Sequence, residues 1–176
     1  MTLPNFLSAL RLFLILPLVF NLLKGDYGTA LVILAVAGVS DLLDGFLART
    51  FNWRTKLGSI LDPIADKLLI LALTLSLVKI GELPIWLVVV ILIRDLQVTL
   101  GFLLVYFRKQ GKQGFIQPLF TGKLAVASQI VTGVLVLLKL HYAWNYNLQA
   151  IFIICGVLTI VSDLHYTLRL LSKDNF

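Results

Sequence analysis

The chain has 176 residues, of which 59% are apolar and 14% are charged, and its mean hydropathy is +0.96. Soluble domains have an apolar share of about 45–50%, so this composition excludes an ordinary soluble domain and indicates an integral membrane protein. The single cysteine, Cys155, excludes an internal disulfide and a cysteine-based metal cluster. The formal net charge of +6 is interpreted first as a signal of membrane topology rather than of nucleic-acid binding.

Six apolar runs, separated by charges or turn residues, follow one another along the chain. They predict helices at 6–23, 28–48, 58–79, 84–107, 121–140 and 146–170. A membrane span needs about 20 residues, and outer-membrane strands would alternate over about 10 residues instead. We therefore expect an all-α fold, an integral membrane bundle of six transmembrane helices in a single domain over 1–176. The first run lacks the flanks of a signal peptide, so we expect it to be retained as a helix.

The bases between the predicted helices are distributed unequally. With six spans both termini lie on one side, and the nine bases on that side are Arg49, Arg54, Lys56, Arg108, Lys109, Lys112, Lys123, Arg169 and Lys173. The opposite side has three, Lys24, Lys79 and Lys139. Because cytoplasmic loops are enriched in Lys and Arg, both termini are expected in the cytoplasm. The expected location is the bacterial plasma membrane, and the mitochondrial inner membrane is the alternative.

Four of the nine acidic residues fall within 26 residues, where the second run ends and the third begins: Asp41, Asp44, Asp62 and Asp66. A carboxylate at the centre of a membrane helix costs roughly 2.5–3.5 kcal/mol, so this group needs compensating cations, water or partners. The spacings i, i+3 and i, i+4 place each pair on one face of its helix.

Oxygen ligands of this kind suit Mg²⁺, Mn²⁺ or Ca²⁺, and no His or Cys between residues 41 and 66 favours zinc. Four negative charges match two divalent ions, which commonly clamp a displacement at phosphorus. The alternative is a salt-bridge cluster of these acids with nearby bases, namely Arg49, Arg54, Lys56 and Lys67.

Small residues lie in register with the carboxylates. Gly45 and Ala48 share the face of the first acidic pair, and Gly58 lies one turn before the second pair. A backbone with such residues allows close approach of a nucleotide or phosphate, although small residues in membrane helices also serve helix packing. Arg49 follows directly, and its guanidinium can bind a phosphate in bidentate fashion.

The segment SDLLDGFLARTFNWRTKLGSILDPIAD contains Asp41-x2-Asp44-Gly45-x2-Ala48-Arg49-x8-Gly58-x3-Asp62-x3-Asp66. It resembles the signature of the CDP-alcohol phosphatidyltransferases at all eight defining positions. The segments LPNFLSALRLFLILP, LDPIADKLLI, IRDL and TGKLAVASQ are also similar to members that make anionic phospholipids.

This resemblance implies a six-helix membrane enzyme, commonly a homodimer, that transfers a phosphatidyl group from CDP-diacylglycerol to an alcohol and releases CMP. By analogy, two Mg²⁺ or Mn²⁺ ions are bound by Asp41, Asp44 and Asp62. Asp66 completes the metal site and is the expected catalytic base, although a role as ligand alone stays open. The cytidine diphosphate portion is held by Gly45, Ala48, Arg49 and Gly58.

The acceptor is expected beside the metals, and the candidate residues for binding it are Arg94, Arg108 and Lys123. Loop bases otherwise serve topology or lipid contacts. Arg94 differs because it lies within an apolar run next to Asp95, and its alternative role is an ion pair with that neighbour or with the Asp cluster. The Arg94-Asp95 pair, with Arg108 as the next arginine, resembles the cardiolipin synthases of the family, whose acceptor is phosphatidylglycerol. The +7 position is Gly101, where the resemblance to phosphatidylglycerolphosphate synthases would imply a second arginine. Phosphatidylglycerolphosphate synthases, which use glycerol 3-phosphate, are the close alternative.

Other interpretations of the charged residues within the helices stay open. A different class of protein is the alternative: the four acids and Arg94 could line a cation or proton pathway in a small transporter. Their grouping at one cytoplasmic end, without a second cluster on the opposite side, favours an interfacial active site. Arg11 and Asn5 either help to close the headgroup site or anchor the first helix at the interface. Asp163 either bonds another helix or lies near the cytoplasmic interface.

Overall fold

The computed structural model describes the backbone of residues 3–50, 58–108 and 120–171, and the side chains of 9–41, 43, 64–101 and 120–169. Over these residues the chain forms six α-helices and no strand, as predicted. The helices are α1 Leu3–Lys24, α2 Tyr27–Thr50, α3 Gly58–Lys79, α4 Ile85–Arg108, α5 Phe120–His141 and α6 Gln149–Leu171. The largest differences from prediction are at the starts of α1 and α6, which begin at Leu3 rather than residue 6 and at Gln149 rather than residue 146.

Local hydrogen bonds account for several of these helix ends. Asp26 caps α2, because its carboxylate accepts hydrogen bonds from the backbone nitrogen of Thr29 at 3.1 Å and from the Thr29 hydroxyl at 2.7 Å. Asn147 does the same for α6 by accepting a hydrogen bond from the nitrogen of Gln149 at 2.9 Å, so the helix starts later than the apolar run. Beyond α1, Gly25 adopts the left-handed conformation, with φ +85°, that commonly ends a helix.

The chain divides into two compact units. The first comprises residues 1–82 and 133–146, and the second comprises 83–132 and 147–176. In the first unit α1 packs against both α2 and α3, and buried side chains include Leu18, Leu22, Ala30, Ala37, Leu69, Leu73 and Leu77. In the second unit α4 packs against α6. The single domain predicted over 1–176 stays a prediction.

Large apolar side chains are also exposed along the helices, as expected for a protein surrounded by lipid. On α1, for example, Phe13, Leu16 and Phe20 are exposed. Among the described residues, two helices are long and apolar enough to cross a membrane, Phe120–His141 and Gln149–Arg169. The described residues therefore contain two candidate membrane spans, whereas six spans and two cytoplasmic termini stay predictions.

Candidate active site

A buried arginine of α1 joins two of the predicted acidic residues. The side chain of Arg11 is 1% exposed, and its Nη1 donates a hydrogen bond to Oδ1 of Asp41 at 2.7 Å. The same nitrogen donates to Oδ1 of Asp66. One guanidinium nitrogen thus links carboxylates from α2 and α3, and both acids come from the segment that carries the eight-position signature.

The helix packing of the first unit explains why Arg11 lies at this point. On α1, Leu18 and Leu22 are fully buried, and they follow Arg11 at i+7 and i+11, so the arginine lies on the buried stripe of the helix. On α2 the fully buried Ala30 and Ala37 precede Asp41 at i−11 and i−4, which are also spacings of one helix face. These small side chains allow neighbouring helices to approach closely.

In the cluster of Arg11, Asp41 and Asp66, the arginine is buried whereas the two carboxylates are partly exposed. A buried guanidinium is costly unless it is paired, and the two carboxylates provide that pairing. The side chains of Asp41 and Asp66 are 50% and 42% exposed, so their carboxylates are accessible while Arg11 is not. With all three groups ionised the cluster has a net charge of −1. Converging, accessible carboxylate oxygens fit the ligand preference of a hard divalent cation such as Mg²⁺.

The other residues of the signature lie on the described backbone of α2 and α3, although their side chains are outside the described residues. Asp44, Gly45, Ala48 and Arg49 lie in the last two turns of α2, which ends at Thr50. Gly58 is the first residue of α3, and Asp62 lies one turn before Asp66. The structure therefore places all four acids near the ends of α2 and α3 that the segment 51–57 connects. Their roles as metal and nucleotide ligands stay predictions.

Sequence reasoning left two roles open for Arg11, and its position excludes one of them, the interfacial anchor. A residue that is 1% exposed and bound to two carboxylates is incompatible with an anchor at the lipid headgroups. The available sequence signal was its position seven residues before Leu18 on the apolar stripe of the helix. The proposed salt-bridge partners Arg49, Arg54 and Lys56 lie outside the described side chains, so that alternative is not tested for them.

The second unit contains Arg94, the first of the candidate acceptor residues. Arg94 is 7% exposed, and its Nη1 donates to Oδ1 of Asp95 at 2.7 Å, which is the ion pair considered as its alternative role. Its Nη2 donates to the backbone oxygen of Gly122 on α5 at 3.5 Å. Within the described part of the chain, Nε of Arg94 is buried without a hydrogen-bond partner. The guanidinium therefore retains an unused donor.

Gly122 is a residue of α5 that Arg94 contacts. A Cβ atom built on Gly122 would lie 3.3 Å from Nη2 of Arg94 and 3.8 Å from Oγ of Ser162 on α6. The absence of a side chain at this position therefore leaves space for the guanidinium. Of the other candidates, Lys123 is exposed on α5, and Arg108 ends α4 with its side chain outside the described residues.

Asp163 forms the interhelical contact that was one of its two expected roles. In the amide orientation that satisfies both neighbours, the Gln97 nitrogen on α4 donates to the two Asp163 carboxylate oxygens at 2.6 and 2.7 Å. The Gln97 oxygen then accepts from the Thr167 hydroxyl at 3.0 Å. A polar contact thus joins α4 to α6 through Gln97, which follows Arg94 at i+3 on α4.

Comparison with known proteins identifies the family. The model of the CDP-alcohol phosphatidyltransferase family matches residues 1–162. The chain belongs to this family. The matched range includes the whole signature and the helices that carry Arg11 and Arg94, so the predictions of the family and of its enzyme class are confirmed. Family membership also favours an enzyme over the transporter alternative.

Relatives of this phosphatidyltransferase have names that specify two different reactions. A CMP-forming cardiolipin synthase of Streptomyces coelicolor is 36% identical over 160 residues, which cover 86% of this chain and 72% of the relative. The human CMP-forming cardiolipin synthase is 33% identical over 94% of this chain, which spans 60% of that protein's length. A CDP-diacylglycerol–glycerol-3-phosphate 3-phosphatidyltransferase of Aquifex aeolicus is 30% identical over 96% of both chains. The relatives therefore support phospholipid synthesis and leave two acceptors.

Divalent metals are used generally in this family. Among the described residues of this phosphatidyltransferase, no group of three or more His, Cys, Asp and Glu side chains forms a complete candidate metal site. Two of the four predicted ligands, Asp44 and Asp62, lie outside the described side chains. The two-metal site consequently stays a prediction. It is supported by the convergence of Asp41 and Asp66, because carboxylate oxygens are ligands that divalent metals prefer.

Proposed function

We propose that this protein transfers the phosphatidyl group of CDP-diacylglycerol to a hydroxyl of a glycerol-containing acceptor, with release of CMP. The observation that carries this proposal is the meeting of Asp41 and Asp66 at Arg11, because both acids belong to the family signature. Two consecutive helices, α2 and α3, thereby present carboxylates to one point. A site that polarises a diphosphate needs such converging oxygen ligands.

Two Mg²⁺ or Mn²⁺ ions are the proposed cofactors, held by Asp41, Asp44, Asp62 and Asp66. When bound, such ions neutralise charge on the diphosphate and on the departing CMP. Asp44 lies one turn beyond Asp41 on α2, and Asp62 lies one turn before Asp66 on α3. This helical spacing and the partly exposed Asp41 and Asp66 support a shared site for the four acids.

The residues between the acids are proposed to hold the cytidine diphosphate portion. Gly45, Ala48 and Gly58 leave the backbone open to close approach, and Arg49 supplies a cation for a phosphate. The acceptor oxygen then forms a bond to the phosphatidyl phosphorus while the bond from that phosphorus to the CMP oxygen breaks. The proton of the acceptor hydroxyl passes to a base. We propose Asp66 as this base, since its side chain is 42% exposed.

Phosphatidylglycerol is the acceptor that we favour, which makes the product cardiolipin. The sequence argument is the Arg94-Asp95 pair with Arg108 as the next arginine, and the Streptomyces and human relatives named cardiolipin synthase support it. We propose that Arg94, Arg108 and Lys123 contact the acceptor phosphate. The unused Nε donor of buried Arg94 is consistent with binding an anionic oxygen.

Glycerol 3-phosphate is the second candidate acceptor. It is favoured by the Aquifex relative, which aligns over 96% of its own length and 96% of this chain. A member that forms phosphatidylglycerolphosphate needs the same donor lipid and the same metal site, so the two candidates differ only in the acceptor.

For the whole protein we propose six membrane spans, with both termini and the active site on the cytoplasmic side of a bacterial plasma membrane. The bias of basic residues between the helices supports this orientation. A homodimer is proposed from the resemblance to the family, in which dimers are common.

The proposal is tested with purified protein, CDP-diacylglycerol and Mg²⁺ or Mn²⁺. Phosphatidylglycerol and glycerol 3-phosphate are offered separately, CMP release is measured, and the lipid products are identified by mass spectrometry. Cardiolipin formed with phosphatidylglycerol alone supports the favoured acceptor, whereas phosphatidylglycerolphosphate formed from glycerol 3-phosphate supports the second. The absence of CMP release with either acceptor would contradict both. Chelation with EDTA is expected to abolish release, and added Mn²⁺ is expected to restore it.

The proposed role of Asp66 is tested by Asp66→Asn. We expect the rate of transfer to fall by orders of magnitude, because the amide can neither accept the proton nor bind metal as a carboxylate does. Asp26→Asn, at the exposed cap of α2, is the matched control and should retain activity. Near-normal transfer by folded Asp66→Asn protein would remove Asp66 from the mechanism.

A further inference from the structure

We propose that Arg11 competes with divalent metal for the carboxylates of Asp41 and Asp66. In this proposal Arg11 is the resident counter-cation of the metal-free site and a positioning residue for its carboxylates. The inference rests on the proposed function, which assigns these two acids to metal binding. It goes further by specifying that the protein itself lowers its affinity for the metal.

Hydrogen bonds join Arg11 to two of the proposed metal ligands. Nη1 of Arg11 donates to Oδ1 of Asp41 at 2.7 Å and also to Oδ1 of Asp66. A divalent ion bound between these acids would use oxygens of the same two carboxylates, and its positive charge would lie close to the guanidinium. Shared ligands and repulsion between like charges both oppose simultaneous full occupation by Arg11 and metal.

Arg11 is buried where it meets the two carboxylates. The side chain is 1% exposed and lies on the same stripe of α1 as Leu18 and Leu22, so it has little direct access to water. An unpaired buried guanidinium is strongly unfavourable. Metal entry therefore has to be matched by loss or weakening of at least one Arg11 hydrogen bond, and this requirement lowers the apparent affinity for metal.

Competition with metal and a purely structural role of Arg11 predict opposite changes in the affinity for metal. If Arg11 only supports the fold, its removal should lower both the stability of the protein and its affinity for metal. If Arg11 competes with metal, its removal should lower stability without metal and raise affinity for metal. In that case metal takes over the neutralisation of two carboxylates that repel each other.

The experiment compares the full-length protein, Arg11→Gln and a control, Lys139→Gln, purified in the same detergent. Lys139 donates to Glu82 at 2.8 Å within the same unit, so the control also removes a cation from a carboxylate, but at a different ion pair. Mn²⁺ is the probe, and the free ion is measured by electron paramagnetic resonance. Thermal unfolding is recorded in EDTA and in saturating Mn²⁺.

For Arg11→Gln we expect the Kd for Mn²⁺ to fall by about tenfold or more, the change expected when one charged hydrogen bond no longer opposes binding. The unfolding midpoint in EDTA should be lower than that of the unsubstituted protein, and Mn²⁺ should raise it by a larger amount. Lys139→Gln should leave the Kd unchanged. Equal or weaker Mn²⁺ binding by folded Arg11→Gln protein would overturn the competition.

A second variant covers the case in which Arg11→Gln does not fold. Arg11→Lys keeps the charge on a shorter side chain, which weakens the bridge to two carboxylates, so Mn²⁺ should bind more tightly than to the unsubstituted protein. Unchanged or weaker binding would overturn the inference. If the unsubstituted protein binds no Mn²⁺ and releases no CMP, the proposed function fails as well. If it binds Mn²⁺ and releases CMP while both variants bind no more tightly, only the competition fails.

Discussion

Gly122→Ala is the substitution that tests most directly whether Arg94 binds the acceptor. The added methyl group would lie 3.3 Å from Nη2 of Arg94, which is closer than an ordinary van der Waals contact. Because the guanidinium is the end of a flexible side chain, we expect it to move away by a few tenths of an ångström. Its hydrogen bond to the Gly122 oxygen, already 3.5 Å long, would then be lost.

The magnitude follows from the strength of that hydrogen bond. Hydrogen bonds to charged groups contribute about 1.5–3 kcal/mol, and a bond of 3.5 Å lies below that range, at roughly 1 kcal/mol. If this free energy of about 1 kcal/mol is lost from acceptor binding, the KM for the acceptor rises about fivefold. The ion pair of Arg94 with Asp95 at 2.7 Å remains, so the loss should be partial.

The assay measures CMP release while the concentrations of acceptor and of CDP-diacylglycerol are varied separately. We expect Gly122→Ala to raise the KM for the acceptor and to leave the KM for CDP-diacylglycerol unchanged. Gly38→Ala is the matched control, because a Cβ atom there meets nothing within 4 Å. An unchanged acceptor KM in Gly122→Ala, or an equal rise for both substrates, would refute the assignment of Arg94 to the acceptor.

Two further predictions concern stability. Gly156→Ala places a methyl group 2.7 Å from Cζ3 of Trp86, a rigid ring, so the free energy of unfolding should fall by about 1–3 kcal/mol. A thermal midpoint equal to that of Gly38→Ala would contradict this expectation. The hydrogen bonds from Thr29 lower the pKa of Asp26 below 3.8, so its contribution to stability is present above that pH and is lost as pH falls through the folded-state pKa. The difference in midpoint between the unsubstituted protein and Asp26→Ala should therefore shrink on acidification below 3.8, and a difference that persists would contradict the cap.

The helices were predictable because their main signals are local. Apolar runs of sufficient length, interrupted by charges and turn residues, indicate where a chain can form helices in a membrane. The start of α6 was the weakest point, because the apolar pattern extends to residue 146 while the side chain of Asn147 caps the helix at Gln149. A cap depends on one hydrogen bond, which hydropathy does not detect.

The acidic part of the site was also accessible from spacing. Asp44 follows Asp41 at i+3 and Asp66 follows Asp62 at i+4, so helical periodicity alone places each pair on one face of its own helix. Helical periodicity does not predict which residues of different helices contact each other. Sequence reasoning gave several candidate cations for these acids, and Arg11 was not among them.

The sequence by itself therefore determined the helical membrane character of the protein, its family and the group of acids that forms the candidate site. Tertiary structure decided which cation meets those acids. Arg11 binds Asp41 and Asp66 because α1 packs against both α2 and α3. The pattern within one helix reports which residues share a face, but partners on different helices depend on how the helices pack, and that packing is a property of the folded chain.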